Sequence, residues 1–440
     1  MKTAYFLSIA MLALLLTLSG CDLFEGGGNN GGTSYPGYDV VLDGNIGSDM
    51  TLHADDAVLL AGQTFVDSGV TLTIEPGTTI ESLPDDGEGL APCLVIKRGA
   101  VIMAEGTATA PITFTSNLPD DLKDRGSWGG LIILGKAPIN KSGGQAFVEG
   151  LVGVPYGGTN PDDNSGVLNY VRVWYGGRSI GQDNEINGIT LAGVGRGTTV
   201  EYCEVAFNLD DGFEMFGGTV DLKYCSVLFA GDDAFDTDLG YQGRGQYLFV
   251  LMGDEDGNRA FEMDNDGSDM DKQPRSHPKF SNVTLIGSGG SSVVADNDQM
   301  IRMREGSGGD FRNMIMVDGK EHGIRITDDP TLALVSGSPG TSPDYLYFSP
   351  NNIIYNCKSG QFRDDYGLTA IDTPVTIGAA GRESAGTASV RVLPAVSGPA
   401  FQNVDAVIAD DFFENAGFKG AFGTVNWLLG WSWLDEHGRF

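Results

Sequence analysis

The sequence is short of the residues that bind transition metals. It contains no CxxC pair among its five cysteines, and its four histidines lie far apart, at His53, His277, His322 and His437. Structural zinc sites use closely spaced cysteine and histidine ligands. A zinc site is therefore not expected.

Positive charge is also scarce. The chain has 27 lysine and arginine residues against 59 aspartate and glutamate residues, which gives a formal net charge of −32. Such a chain repels nucleic acid and anionic lipid headgroups, since both attract basic surfaces. This balance argues against nucleic acid as a partner and favours cations, cationic ligands or simple solubility.

The only long apolar run, from Ala4 to Leu18, is too short to span a bilayer comfortably. It follows Lys2 and precedes "LSGC" (18–21), which resembles the lipobox of bacterial lipoproteins. We therefore predict a signal peptide over residues 1–20, a lipidated Cys21 and a flexible glycine-rich tether over 21–37. These features predict attachment to the outer membrane through the lipid alone, on a side that the sequence leaves open.

No segment shows a sustained 3.6-residue apolar period, so long helices are not expected. Glycine is abundant instead, with 65 residues that separate short β-rich runs such as "VTLTIEPGTTIES" (70–82). Strands without helices, repeated at intervals of 20 to 30 residues, are typical of a β-solenoid.

Two adjacent blocks make the repeat explicit. "VEYCEVAFNLDDGFEMFGGTVD" (200–221) aligns without a gap on "LKYCSVLFAGDDAFDTDLGYQG" (222–243). The alignment pairs Cys203 with Cys225, and two interpretations stay open for them: stacked thiols in an apolar ladder, or a disulfide between neighbouring coils.

We predict that the repeat extends over residues 38–410 as one parallel β-helix with inserted loops. Residues 411–440 carry three of the five tryptophans and are predicted to form a C-terminal aromatic cap. A solenoid has to cover its last open coil, which favours this interpretation. An aromatic platform for sugar stacking is the alternative.

Several motifs carry a resemblance to a known family. "LTIEPGTTI", "IKRGAVIMAEGTATAPITFTSN", "GSWGGLIILGKAPIN", "DDGFEMFGGTV" and the "GAFGTVNWLLGW" tail together resemble bacterial secreted or lipid-anchored envelope proteins with a pectin-lyase-like fold. The resemblance covers nearly all of the predicted mature chain. It implies an all-β, single right-handed parallel β-helix and a place in the cell envelope, but no activity.

The repeat also predicts an outward-facing ladder of charges. Because side chains alternate in a strand and equivalent residues of successive coils lie about 4.8 Å apart, the acids of "FEMF", "FDTD" and "FEMD" should stack. "IRMR" and "IRIT" would continue the same face with arginines, of which Arg304 falls in the adjacent column with Phe216. The predicted ligand-binding residues are Glu214, Asp236, Asp238, Glu262, Asp264, Arg302 and Arg325.

A divalent cation would relieve the repulsion within this ladder. Only oxygen ligands are available, and they suit Ca²⁺ better than Mg²⁺ or Zn²⁺. The predicted calcium ligands are Asp236, Asp238, Glu262 and Asp264. A solvated face whose acids pair with the arginines is the alternative. The double aspartates, Asp210–Asp211 and Asp232–Asp233, are interpreted as turn residues that bond backbone N–H groups.

Three functions are compatible with this face. The first is a non-enzymatic surface that binds a polysaccharide, another anionic ligand or an outer-membrane partner protein, with calcium assisting. The second is a calcium-dependent polysaccharide lyase with Arg302 or Arg325 as the base. The third, a polygalacturonase-like hydrolase, lacks the expected "GHG" one coil after "GDD" (231–233). We favour the first.

Overall fold

The computed structural model describes residues 34–85, 90–148, 151, 153–178, 186–340, 342–382 and 388–440. Residues 37–440 form one compact unit, and the fold below is that of this unit. The predicted signal peptide, Cys21 and nearly all of the tether lie outside the described residues. Among the residues described, no helix is both long and apolar enough to cross a membrane.

The described part of the chain is built almost entirely of short strands. In chain order they are Val40–Ile46 (β1), Met50–Leu52 (β2), Val58–Val66 (β3), Thr71–Ile74 (β4), Thr79–Ser82 (β5), Cys93–Ile96 (β6), Val101–Glu105 (β7), Ile112–Ser116 (β8), Leu131–Leu134 (β9), Ala146–Phe147 (β10), Pro155–Tyr156 (β11), Gly166–Trp174 (β12), Ile189–Ala192 (β13), Thr199–Ala206 (β14), Phe213–Phe216 (β15), Asp221–Lys223 (β16), Ser226–Leu228 (β17), Phe235–Asp238 (β18), Arg244–Leu251 (β19), Phe261–Met263 (β20), Lys279–Ile286 (β21), Gln299–Met303 (β22), Gly309–Arg312 (β23), Ile315–Val317 (β24), His322–Ile326 (β25), Leu346–Phe348 (β26), Ile353–Tyr355 (β27), Gly360–Phe362 (β28), Gly378–Ala380 (β29) and Ser389–Arg391 (β30).

Within the described residues, helix is confined to single turns. Two short α-helices cover Asp329–Leu332 (α1) and Trp433–Glu436 (α2), and 3₁₀ turns lie at Asp120–Leu122, Ser142–Gly144 and Pro399–Phe401. Each α-helix begins after a capping side chain, Asp328 for α1 and Ser432 for α2.

Twenty-six of the strands form one parallel sheet that winds through three columns. Column 1 contains the first part of β1 and of β3, then β5, β8, the second part of β12 and of β14, β17, the second part of β19 and of β21, β24 and β27. Column 2 contains the second part of β1 and of β3, then β6, β9, β13, β15, β18, β20, β22, β25 and β28. Column 3 contains β2, β4, β7, the first part of β12 and of β14, β16, the first part of β19 and of β21, β23 and β26. Coil after coil repeats this path, so the chain forms a parallel β-helix.

The interior is a ladder of stacked apolar side chains. Phe213 lies over Phe235 with ring centroids 5.2 Å apart, and Phe235 meets Phe261 edge-on at 5.6 Å. All three are fully buried, as are the thiols of Cys203 and Cys225, which remain free. The structure therefore favours the interpretation of these cysteines as stacked core thiols rather than a disulfide.

In six successive coils, the bend between columns 3 and 1 contains one left-handed residue that is not glycine. These residues have φ between 50° and 61° and are Tyr170, Tyr202, Tyr224, Tyr247, Asn282 and Asn313. Left-handed φ is costly for a residue with a side chain. The four tyrosines offset this cost by stacking nearly parallel, with successive ring centroids 4.4, 4.5 and 4.6 Å apart.

The C-terminal segment differs from the predicted cap. The columns end at Phe362, well before residue 410, and the tryptophans lie along the flank of column 1 instead of over the last coil. Trp427 and Trp431 pack edge-on against Tyr202, in the middle of the helix. The outer face of column 1 is largely apolar in these coils, with Ala206, Leu228 and Phe249 in one buried cluster, and the aromatic segment shields it from water. The last coil is closed by residues near Tyr366, whose hydroxyl bonds the backbone of Ile326.

The C-terminal tryptophan segment covers one buried acid on the outer face of column 1. Glu204 is fully buried and accepts hydrogen bonds from the Trp433 backbone N–H (2.7 Å), the Trp174 indole (3.1 Å) and the Ser226 hydroxyl (3.0 Å). Burial raises the pKa of Glu204 to about 7, although these donors act in the opposite direction.

Candidate functional site

The outer face of column 2 has the register that the repeat predicts. Glu214 pairs with Asp236, Asp236 with Glu262, Glu262 with Arg302 and Arg302 with Arg325 in neighbouring strands. In the adjacent outward column, Phe216 pairs with Asp238. The structure therefore brings the seven predicted ligand-binding residues onto one face.

This face is not freely solvated. Glu262 and Asp264 are 6% and 4% exposed, and Glu214, Asp236 and Asp238 are half-buried. Two carboxylates 4.8 Å apart repel each other by about 3 kcal/mol at an effective dielectric near 20, against about 1 kcal/mol in bulk water. Because the face is partly buried, repulsion among its carboxylates is strong enough to affect the stability of the fold.

At one end, arginines neutralise the acids. The guanidinium of Arg304 lies 2.7 Å from Glu262 Oε2 and 2.6 Å from Asp264 Oδ2. Arg302 adds a contact of 3.3 Å to Glu262 Oε1, and Arg259 lies 3.8 Å from the same oxygen. We call Glu262, Asp264, Arg302 and Arg304 the paired end.

At the other end, carboxylates of successive coils meet one another. Oxygens of Asp211, Glu214 and Asp236 lie within 4.8 Å of one another, and so do oxygens of Asp233, Asp236 and Glu262. Asp236 belongs to both groups. We call Asp211, Glu214, Asp233 and Asp236 the acid end.

Two oxygens of the acid end lack hydrogen bonds. Oδ1 of Asp233 and Oδ1 of Asp236 are buried, and neither accepts a hydrogen bond from the residues that the structure describes. Asp233 is only 3% exposed. A buried carboxylate oxygen without a donor costs free energy, so a cation or a proton is needed there.

Burial and mutual repulsion shift the acid end toward the protonated form. The pKa of Asp236 is raised well above its ordinary value, chiefly by burial and then by the charges of Asp264, Glu214 and Glu262. Burial likewise raises the pKa of Asp211 and of Asp233. An oxygen-binding cation would replace the protons at neutral pH.

Neighbouring Asp238 shows the same effect more weakly. Burial raises its pKa to about 7, while a hydrogen bond from the Leu239 backbone N–H acts in the opposite direction. The pKa of Asp264 is also raised, chiefly by burial and by the charge of Glu262, although the charge of Arg304 acts in the opposite direction.

The predicted calcium ligands are only partly brought together. Asp236 and Glu262 share a group of close carboxylates, whereas Asp238 and Asp264 belong to none among the residues described. The positions that sequence reasoning missed are Asp211 and Asp233. They lie at turns, where strand alternation does not fix the direction of a side chain. The signal in the sequence was that each precedes an outward acid, Glu214 or Asp236, by three residues.

The double aspartates also have the structural role that was predicted. Asp211 Oδ1 accepts a hydrogen bond of 2.8 Å from the backbone N–H of Asp233, one coil later. In the following coil Arg259 occupies the equivalent turn position and its backbone bonds Asp233. Each buried aspartate therefore bonds the backbone of the next turn and also belongs to a group of close carboxylates.

A cavity of about 700 Å³ adjoins these turns. Asp210, Asp211 and Asp232 form a third group of close carboxylates, and Asp210 and Asp232 line the cavity. The loops that carry Asp256 and Asp296 form its other wall, and none of the described residues that line it is basic. This volume lies within the usual range for a small-molecule site.

Three parallel columns define the class of protein as a parallel β-helix. A family model described as a pectate-lyase-like β-helix domain matches residues 44–365. The chain therefore belongs to this family, and the all-β, right-handed parallel β-helix predicted from the sequence is confirmed. No curated protein and no solved structure matches the chain significantly.

The arrangement does not favour the lyase alternative. A base must be free to take a proton from the substrate. Arg302 is instead engaged with Glu262, whose Oε1 lies 3.3 Å from its guanidinium.

Proposed function

We propose that this chain is a non-enzymatic binding protein whose acid end holds a divalent cation, Ca²⁺, and through it an anionic ligand. One observation carries the proposal. Oδ1 of Asp233 and Oδ1 of Asp236 are buried without hydrogen-bond donors from the described residues, inside groups of carboxylates less than 4.8 Å apart.

The spacing and the chemistry support calcium. Calcium binds oxygens at about 2.4 Å, so two ligands of one ion lie at most about 5 Å apart. Asp211, Glu214, Asp233, Asp236 and Glu262 supply only carboxylate oxygens, and zinc would prefer nitrogen or sulfur. Calcium also tolerates irregular geometry, which suits ligands from three successive coils, whereas magnesium requires near-octahedral order.

The cation would create the attraction for an anion. Arg302 and Arg304 are occupied by Glu262 and Asp264, so they neutralise the protein rather than a ligand. A calcium ion with coordination positions left open would accept carboxylate oxygens of an acidic polysaccharide, or of a partner protein. The ligand class we propose is an acidic polysaccharide.

Calorimetry with calcium chloride tests the cation site. We expect the full chain to bind Ca²⁺ and the variant Asp233→Asn/Asp236→Asn to lose that binding. The control variant Asp120→Asn/Asp121→Asn removes two charges from an exposed turn and should bind as the unchanged protein does. Equal heats for both variants, or no heat for the unchanged protein, would show that the acids form only a charged surface.

A panel of acidic and neutral polysaccharides tests the ligand class. We expect acidic members to be retained in the presence of Ca²⁺ and released by a chelator, with no change in chain length. Release of unsaturated uronides from any member would establish the lyase instead. If the polysaccharide were still retained after the chelator is added, its binding would not depend on calcium.

We further propose that the protein is tethered to the outer membrane through Cys21. The support is the sequence "LSGC" followed by a glycine-rich stretch. Replacing Cys21 with serine should release the protein from membranes while its circular dichroism spectrum stays that of a β-protein. A serine variant that fractionates with membranes would contradict the anchor.

A further inference from the structure

A second cavity, of about 660 Å³, lies beside the turns that follow column 2 near the N-terminal end of the β-helix. Residues 67–70 and 97–100 form two stacked turns, each closed by a backbone hydrogen bond, and the next coil adds residues 135 and 136. The cavity is lined by Ser68, Lys97, Arg98, Lys136, Val154, Pro155, Gly157, Gly158, Thr159 and Asn160.

The charge of this cavity is opposite to that of the chain. Lys97, Arg98 and Lys136 line it, and no lining residue that the structure describes is acidic. The chain as a whole has 59 acidic and 27 basic residues. Three basic side chains around one concave surface are therefore a local exception that needs a reason.

Most of this positive charge is uncompensated. Lys97 Nζ lies 2.6 Å from Asp67 Oδ1, but the guanidinium of Arg98 donates to a neutral group, the carbonyl oxygen of Gly157, at 2.8 Å. Lys136 is exposed. Within the described part of the chain, neither Arg98 nor Lys136 has a carboxylate at ion-pair distance.

The backbone positions these donors together. A Cβ on Gly99 would lie 2.5 Å from Lys136 Nζ and 2.9 Å from Ser68 Oγ, so the ammonium and the hydroxyl are neighbours above one turn. The Arg98–Gly157 hydrogen bond holds the guanidinium against the opposite wall. Arginine can bind an oxyanion through two parallel hydrogen bonds, while lysine acts as a compact point charge.

We propose that this cavity binds a small molecule with two or more oxyanion groups, such as a carboxylated, sulfated or phosphorylated sugar. Its volume suits such a ligand, and Val154 and Pro155 offer an apolar wall for a sugar ring. The site is separate from the calcium site, since the acid end belongs to later coils, on β15 and β18. At physiological salt the acids outside the cavity are screened beyond about 8 Å, so they do not prevent anion binding.

Calorimetry of the full chain in EDTA tests the proposal. The probes are inorganic sulfate, inorganic phosphate, glucuronate and glucose 1,6-bisphosphate, with neutral glucose as the blank. We expect the bisphosphate to bind about tenfold tighter than the singly charged glucuronate, and glucose to give no heat. The relative affinities of sulfate, phosphate and carboxylate identify the type of anionic group.

Matched variants make the test specific. Arg98→Gln/Lys136→Gln should weaken bisphosphate binding about tenfold or more, and Lys136→Arg should retain it. The control Lys272→Gln/Lys358→Gln removes the same charge outside the cavity, and Asp233→Asn/Asp236→Asn alters only the acid end, so both should bind normally. The proposal would be overturned if Arg98→Gln/Lys136→Gln bound the bisphosphate as tightly as Lys272→Gln/Lys358→Gln does. It would also be overturned if no anion gave heat at millimolar concentration.

Discussion

The paired end and the acid end adjoin on the outer face of column 2, where Glu262 of the first pairs in register with Asp236 of the second. At the paired end, Arg304 reaches two carboxylates and the charges largely cancel. At the acid end, Asp211, Glu214 and Asp236 approach within 4.8 Å of one another, and burial raises the pKa of Asp236. Strands with the same register therefore present neutralised carboxylates at one end and mutually repelling carboxylates at the other. The side chains of the next coil decide between the two.

The comparison also suggests why the face could be both stable and functional. A cluster neutralised by its own arginines needs nothing from solution, whereas a cluster of mutually repelling carboxylates gains free energy when a cation binds. Under the proposed function, the paired end is a rigid rim next to the cation site.

The largest effect should follow removal of the arginine at the paired end. Arg304→Ala leaves Glu262 and Asp264 buried without their main partner, and we expect the free energy of unfolding to fall by about 3 kcal/mol. Urea unfolding at neutral pH measures it. The control Arg196→Ala, which removes a more exposed arginine 3.7 Å from Asp162, should cost less than about 1 kcal/mol. Equal losses would mean that burial does not strengthen the pairing.

Calcium should stabilise the protein through the acid end. At a concentration one hundred times the dissociation constant, a ligand that binds only the folded state adds about 2.7 kcal/mol. We expect this gain in urea unfolding for the unchanged protein and for Arg304→Ala, but not for Asp233→Asn/Asp236→Asn. If Arg304→Ala also lost the gain, the two ends would not be independent.

An Asp→Asn substitution should change the free energy of unfolding in opposite directions at the two ends. Without divalent cations at pH 8, Asp264→Asn loses the ion pair with Arg304 and should lower the free energy of unfolding by about 1–2 kcal/mol. Asp236→Asn removes a repelled carboxylate and should raise it by about 1 kcal/mol. A loss of stability in both variants would show that the acid end is already neutralised.

The smallest effect concerns pH. The folded-state pKa of Asp238 is about 7, above the ordinary value of 3.8, so the folded chain binds a proton that the unfolded chain does not. Stability from this group is present at low pH and is lost as pH rises through 7. In EDTA, the unchanged protein should gain about 1 kcal/mol over Asp238→Asn between pH 8 and about 6.3. Parallel pH profiles would refute the raised pKa.

Other groups contribute to both profiles and cancel in that difference. Glu204 also has a pKa of about 7 in the folded state and adds stability as pH falls. Buried His277 acts in the opposite direction, because its pKa is lowered to about 4 and the unfolded chain takes up a proton first. The comparison with Asp238→Asn isolates one carboxyl from these contributions.

The ladder was predictable because coils repeat. A strand with period two places Phe213 inward and Glu214 outward, and a repeat of 22 residues puts Phe235 and Asp236 directly beside them. The insertions before β20 and β22 did not disturb this register, since the apolar residues Phe261 and Ile301 hold the strands to the core. Neither the turn aspartates of the acid end nor the position of the tryptophan segment follows from this periodicity.

The sequence by itself determined the parallel β-helix and the outward column from Glu214 to Arg325, because local alternation and equal coil lengths fix both. Only the tertiary structure decided which carboxylates converge, which arginines turn back on them, and how Lys136 comes to lie over Gly99. These contacts join turns and loops from different coils. Their side-chain directions depend on packing across the fold, which no local pattern encodes.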